Sequence, residues 1–65
     1  MIKIRLKELL DEKKMSQARL SRLADLSPNT IQAIYHEPTT DVMLSTVEKI
    51  AKALNVTLDQ LLEMD

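Results

Sequence analysis

Asn29 and Gln32 stand three residues apart. Projected on a helix, they share one side with Ala33 and His36, opposite Ile31, Ile34 and Tyr35. A carboxamide presents a donor beside an acceptor, so either amide can make a bidentate pair with the N6 and N7 edge of adenine, while an alanine methyl suits the methyl of thymine. The alternative use of this face is a solvated surface. Ser27 and Thr30 add hydroxyls near the start of the same segment, placed for a phosphate, a base edge or a local bond in the first helical turn. His36 is the one histidine and there is no cysteine, so no metal-ligand set forms. No glycine-rich phosphate loop, nucleophile elbow or carboxylate dyad is present. The expectation is a protein that is not an enzyme and carries no metal or cofactor.

The elements that must hold this face are legible in the spacing of apolar residues and caps. Ile2, Leu6, Leu9 and Leu10 recur at helical intervals and predict helix 1 over about 2–13. Ser16 is a cap residue before helix 2, about 17–24, with Leu20, Leu23 and Ala24 as its buried stripe. Ser27-Pro28 starts helix 3, about 28–36, because serine caps while proline at the first position loses no hydrogen bond. Glu37-Pro38-Thr39-Thr40-Asp41 breaks every period and predicts an exposed loop. Ser45-Thr46-Val47-Glu48 fits a capping box for helix 4, about 46–54, and Thr57-Leu58-Asp59-Gln60 repeats the device for helix 5, about 58–63. The fold class expected is all-α, with five helices in a single domain spanning 1–65.

Composition agrees. Sixty-five residues with one aromatic side chain and no glycine require an aliphatic core of thin stability margin, since a chain of this size buries only about 60% of its unfolded surface. The lack of cysteine suits a reducing cytoplasm. No apolar run approaches the roughly 20 residues of a membrane span, so no membrane partner is expected. Met1 leads into a charged segment rather than a signal peptide, so the chain reads as soluble and complete.

Met15-Ser16-Gln17, Leu26-Ser27, Thr30-Ile31, the run Lys49-Ile50-Ala51-Lys52-Ala53-Leu54-Asn55-Val56 and Leu61-Leu62 together carry a resemblance to the Cro/C1-type (XRE-like) helix-turn-helix transcriptional regulators. The resemblance runs over essentially the whole chain. It implies a compact lambda-repressor-like DNA-binding domain whose helices 2 and 3 form the helix-turn-helix within residues 16–35. Helix 3 would enter the major groove of double-stranded DNA, with Asn29, Thr30, Gln32 and Ala33 as base readers, and Gln17 would hold a phosphate. The sequence departs from the family pattern in three places: Asp25 where glycine is usual in the turn, Ser21 for a small alanine, and the pair His36-Glu37 where Asn-Gly is common.

Charge is unevenly spread. Residues 1–22 hold seven basic and three acidic side chains, residues 23–47 hold three acidic and no basic ones, and residues 48–65 hold two basic and four acidic ones, so the chain is net −1. Phosphate neutralisation supplies most non-specific affinity for DNA, so the grip must come from the first two helices. Arg19, Arg22 and Lys14 are the phosphate candidates, with Gln17, Ser27 and His36 beside them, and ion pairing with Glu8, Asp11 and Glu12 is the competing use of the cations. One such module offers few contacts, which favours a homodimer on a pseudo-palindrome with half-sites about 34 Å apart. Val56, Leu58, Leu62 and Met64, or Val42 and Met43, could supply the interface, although the monomer core is the simpler use of most of them. The alternative function is a protein-interaction module, antitoxin-like or a regulatory partner, on the same scaffold.

Overall fold

The structure is a computed structural model, and it describes residues 2–39 and 41–64 together with all side chains in them except that of Met64. Within these, a strand β1 (Ile2–Ile4) is followed by α1 (Leu6–Lys13), α2 (Gln17–Ala24), α3 (Pro28–His36), α4 (Leu44–Leu54), α5 (Leu58–Leu61) and a strand β2 (Leu62–Met64). Five helices over one aliphatic core confirm the all-α expectation; the two short strands are a minor addition. α2 packs on both α3 and α4, and α1 reaches α3. The core is built from Leu6, Leu9 and Leu10 of α1, Leu20 of α2, Ile31 and Ile34 of α3, Val47, Ile50 and Leu54 of α4, and Leu61.

Three links between helices use one three-residue device. Lys14-Met15-Ser16, Asp25-Leu26-Ser27 and Asn55-Val56-Thr57 each contain a left-handed residue, an apolar residue and a hydroxyl cap. The left-handed residues have φ of 54°, 56° and 58°. The following amide closes a six-residue loop back to the helix: Met15 N–H donates to Leu10 at 3.0 Å, Leu26 N–H to Ser21 at 2.9 Å and Val56 N–H to Ala51 at 3.0 Å. These are Schellman motifs, which satisfy carbonyls that a helix end leaves open. Met15, Leu26 and Val56 then pack against the core. The third residue starts the next helix, its oxygen accepting from Arg19 N–H at 3.1 Å, Asn29 N–H at 3.1 Å and Gln60 N–H at 3.2 Å.

Glycine is the residue with least steric cost at a left-handed position, and Asn or Asp tolerates it better than lysine. Lys14→Gly is therefore expected to raise stability by roughly 0.5–1 kcal/mol, seen as a thermal midpoint higher by several degrees at about 4–8 °C per kcal/mol. Asp25→Gly should gain less and Asn55→Gly least, as measured by circular dichroism melts. Equal gains at all three sites would contradict the steric argument.

Several boundaries differ from the sequence expectation. Helix 1 begins at Leu6, because Ile2–Ile4 pairs antiparallel with the C-terminal strand, Ile2 opposite Met64, Lys3 opposite Glu63 and Ile4 opposite Leu62. Further bonds from Ile4 N–H to Pro38 at 2.8 Å and from Arg5 N–H to Leu61 at 2.7 Å fix that strand. Helix 5 accordingly stops at Leu61 rather than 63. The Thr57–Gln60 capping box is present, with Gln60 Oε1 accepting from Thr57 N–H at 2.9 Å. The Ser45–Glu48 box is absent: α4 starts at Leu44 and Met43 occupies the cap position without a side-chain bond. Leu23 is 53% exposed, and Ser21 takes its place in the buried stripe, donating its hydroxyl to the Ala18 carbonyl at 2.8 Å. In the loop, Glu37, Thr39 and Asp41 are exposed but Pro38 is half-buried, and Thr40 lies outside the described residues.

Candidate nucleic-acid interface

α3 is anchored from behind. Ile31 and Ile34 are buried, and Tyr35 packs half-buried against the core. That orientation turns Asn29, Gln32, Ala33 and His36 outward, all of them exposed, as the helical projection anticipated. Thr30, in the first turn, is half-buried. Ser27 uses an oxygen lone pair on Asn29 N–H, which leaves its exposed hydroxyl proton free to donate. An exposed polar face on a helix suits insertion into a nucleic-acid groove.

The cations stand on the neighbouring elements. Arg19 and Arg22 lie one turn apart on α2 and are both exposed, so their heads reach solvent on one face. Lys14 is exposed in the link that precedes Ser16, and Gln17, the first residue of α2, is half-buried there. At the far end of α3, Tyr35 and His36 meet edge to face with ring centroids 5.5 Å apart. Lys7 Nζ lies 6.0 Å from the Tyr35 ring centroid, a cation–π contact that ties α1 to that end. This fourth cation near the helix was not foreseen, because the contact joins residues distant in sequence with no local pattern to announce it. Ser21 and Asp25 both fit: the former is buried with its hydroxyl satisfied, and the latter adopts the left-handed turn that glycine would otherwise take.

Two helices joined by a three-residue turn, the second carrying an exposed polar face and the first buttressing it, define a helix-turn-helix protein. The profile of the Cro/C1-type HTH DNA-binding domain matches residues 5–65, and the chain belongs to that family. The sequence resemblance is thereby confirmed. Among solved structures, the fold is similar to the crystal structure of a presumptive DNA-binding protein from Bacteroides fragilis, with a TM-score of 0.82 and 30% identity over 97% of this chain and 100% of that one. No curated protein matches. Among the described residues, no helix is long and apolar enough to cross a membrane.

Proposed function

We propose that the protein is a sequence-specific transcriptional regulator of the cytoplasm, its residues 1–65 forming a single DNA-binding domain that acts without a cofactor or catalytic activity. The observation that carries this reading is the outward polar face of α3 over a buried Ile31–Ile34 anchor. Asn29, Thr30, Gln32 and Ala33 meet base edges, and the amides favour adenine. Lys14, Gln17, Arg19, Arg22, Ser27 and His36 hold phosphates on either side. Two copies bind a pseudo-palindrome whose half-sites lie one helical turn apart. The exposed acidic pair Glu37 and Asp41, on the loop after α3, favours a second reading, in which an antitoxin-like or regulatory protein partner uses this scaffold and DNA binding is weak.

Selection from a random duplex pool at ~50 mM salt decides between them. Enrichment of an A·T-containing half-site is expected, and failure to enrich any sequence would overturn the first reading. Gln32→Ala should then lose roughly 1–3 kcal/mol of discrimination at one base pair while binding other sequences as before. Equal weakening on every duplex would remove Gln32 from base reading.

A further inference from the structure

Residues 23–65 hold seven acidic side chains and only two basic ones, Lys49 and Lys52. Both are exposed on α4, three residues apart, so their ammonium heads share one helix face. Each of them lines two surface grooves, which makes the pair a ridge between the two. Towards α2, Leu23, Ala24 and Ala53 complete a groove of about 330 Å³. Towards α5, Glu48, Ala51, Val56 and Leu58 complete one of about 500 Å³. Leu23 is 53% exposed and Leu58 37%, so each groove sets a water-facing leucine beside the lysine ridge. Lys52 lies in the last turn of α4, where a cation suits the helix dipole, and Glu48 one turn earlier competes for it. Lys49 has neither use: it stands before the last turn, with no carboxylate three or four residues away on α4. Two like charges one turn apart also repel each other, a cost that an external anion removes.

We infer that this ridge and its grooves are a docking surface for an acidic, leucine-rich helical segment of another protein. Carboxylates one turn apart on that segment meet Lys49 and Lys52, and apolar side chains flanking them enter the grooves beside Leu23 and Leu58. Charge complementarity selects this occupant. A neutral apolar segment would cover the two ammonium groups without supplying a counter-charge, which is costly. A nucleic-acid backbone would answer the lysines but brings no apolar side chain to the grooves. The surface is opposite in sign to Glu37 and Asp41 on the loop after α3, so a protein held here differs in chemistry from one drawn to that loop. None of the residues assigned above to base or phosphate contact lines either groove. The surface therefore stands whether or not the protein binds DNA.

The probe is a synthetic helical peptide of about 15 residues, with glutamates one turn apart and leucines on both flanks. Titrated into the isotope-labelled protein, it should shift the amide resonances of Leu23, Lys49, Lys52 and Leu58 with a dissociation constant on the order of 100 μM. Lys49→Glu combined with Lys52→Glu should weaken binding roughly 10-fold or more, whereas arginine at both positions should keep it within about twofold. Leu23→Ser, which removes apolar surface and no charge, should weaken it several-fold and decides the matter if the double glutamate variant misfolds. Lys13→Glu, on α1 and outside both grooves, should leave it unchanged. No shift at ~1 mM peptide overturns the surface, as does equal binding of a peptide with lysines for the glutamates or serines for the leucines. Movement of the same resonances on concentrating the protein alone would assign the surface to a second copy instead. Movement on adding a random duplex, with loss of the bound peptide, would assign it to nucleic acid.

Discussion

Leu20→Ala is expected to cost about 3 kcal/mol of folding stability, within the range of roughly 2–5 kcal/mol for emptying a fully buried leucine site. Leu20 has no exposed surface and sits on α2, the helix that packs against both α3 and α4. A 65-residue chain has on the order of 3–10 kcal/mol in total, so this one truncation removes between a third and all of it. The variant should lose DNA binding by unfolding, not by loss of a contact. Leu23→Ala, three residues along the same helix, should change stability by no more than about 0.5 kcal/mol because that side chain already faces water. Denaturant titration of both variants, followed by helical circular dichroism, gives the comparison. Similar costs at the two positions would mean that α2 is rotated from the orientation described here, which would also redirect Arg19 and Arg22.

That pair of leucines also marks where the sequence stops being informative. Leu23 and Ser21 flank Leu20 on the helical projection, at about −60° and +100°, and hydrophobicity alone favours Leu23 for burial. The side chosen depends on where α3 and α4 lie, and serine can be buried because its hydroxyl bonds within its own helix. Helices 2 and 3 were legible to the residue because their limits are written locally, in Ser16, Ser27, Pro28 and the left-handed Asp25. β1 was not, since Ile2 falls in a helical spacing with Leu6, Leu9 and Leu10, the alternation of Ile2, Ile4 and Leu6 is too short to override it, and the partner strand lies some sixty residues away. The outward face of α3 followed from Ile31 and Ile34 by projection, whereas the Lys7–Tyr35 contact needed the tertiary structure.

The largest effect on the proposed DNA contact is expected from salt and from the charges beside α3. With Lys14, Arg19 and Arg22 holding phosphates as proposed, about three contacts per protomer, the logarithm of affinity should fall with the logarithm of salt at a slope near −2.7. Between ~50 and ~200 mM monovalent salt, half-site affinity then drops roughly 40-fold. Arg19→Ala should flatten the slope by about 1 and weaken all duplexes alike. Glu37 works in the opposite direction: it is exposed just beyond the C-terminus of α3, with its N–H bonded to the Ala33 carbonyl at 2.8 Å. A carboxylate there repels nearby phosphate and faces the negative end of the helix dipole. Glu37→Lys relieves both, so it should steepen the salt slope by about 1, tighten binding to every sequence and raise the thermal midpoint slightly. Combined with Arg19→Ala, it should restore a slope near the wild-type value, because Arg19 stands on α2 and Glu37 in the loop after α3, so the two changes should add. Titrations of one enriched and one scrambled duplex across that salt range measure all four proteins. A slope unmoved by Arg19→Ala takes α2 out of the phosphate contact, and weaker binding by Glu37→Lys would mean that the loop after α3 lies away from the DNA backbone.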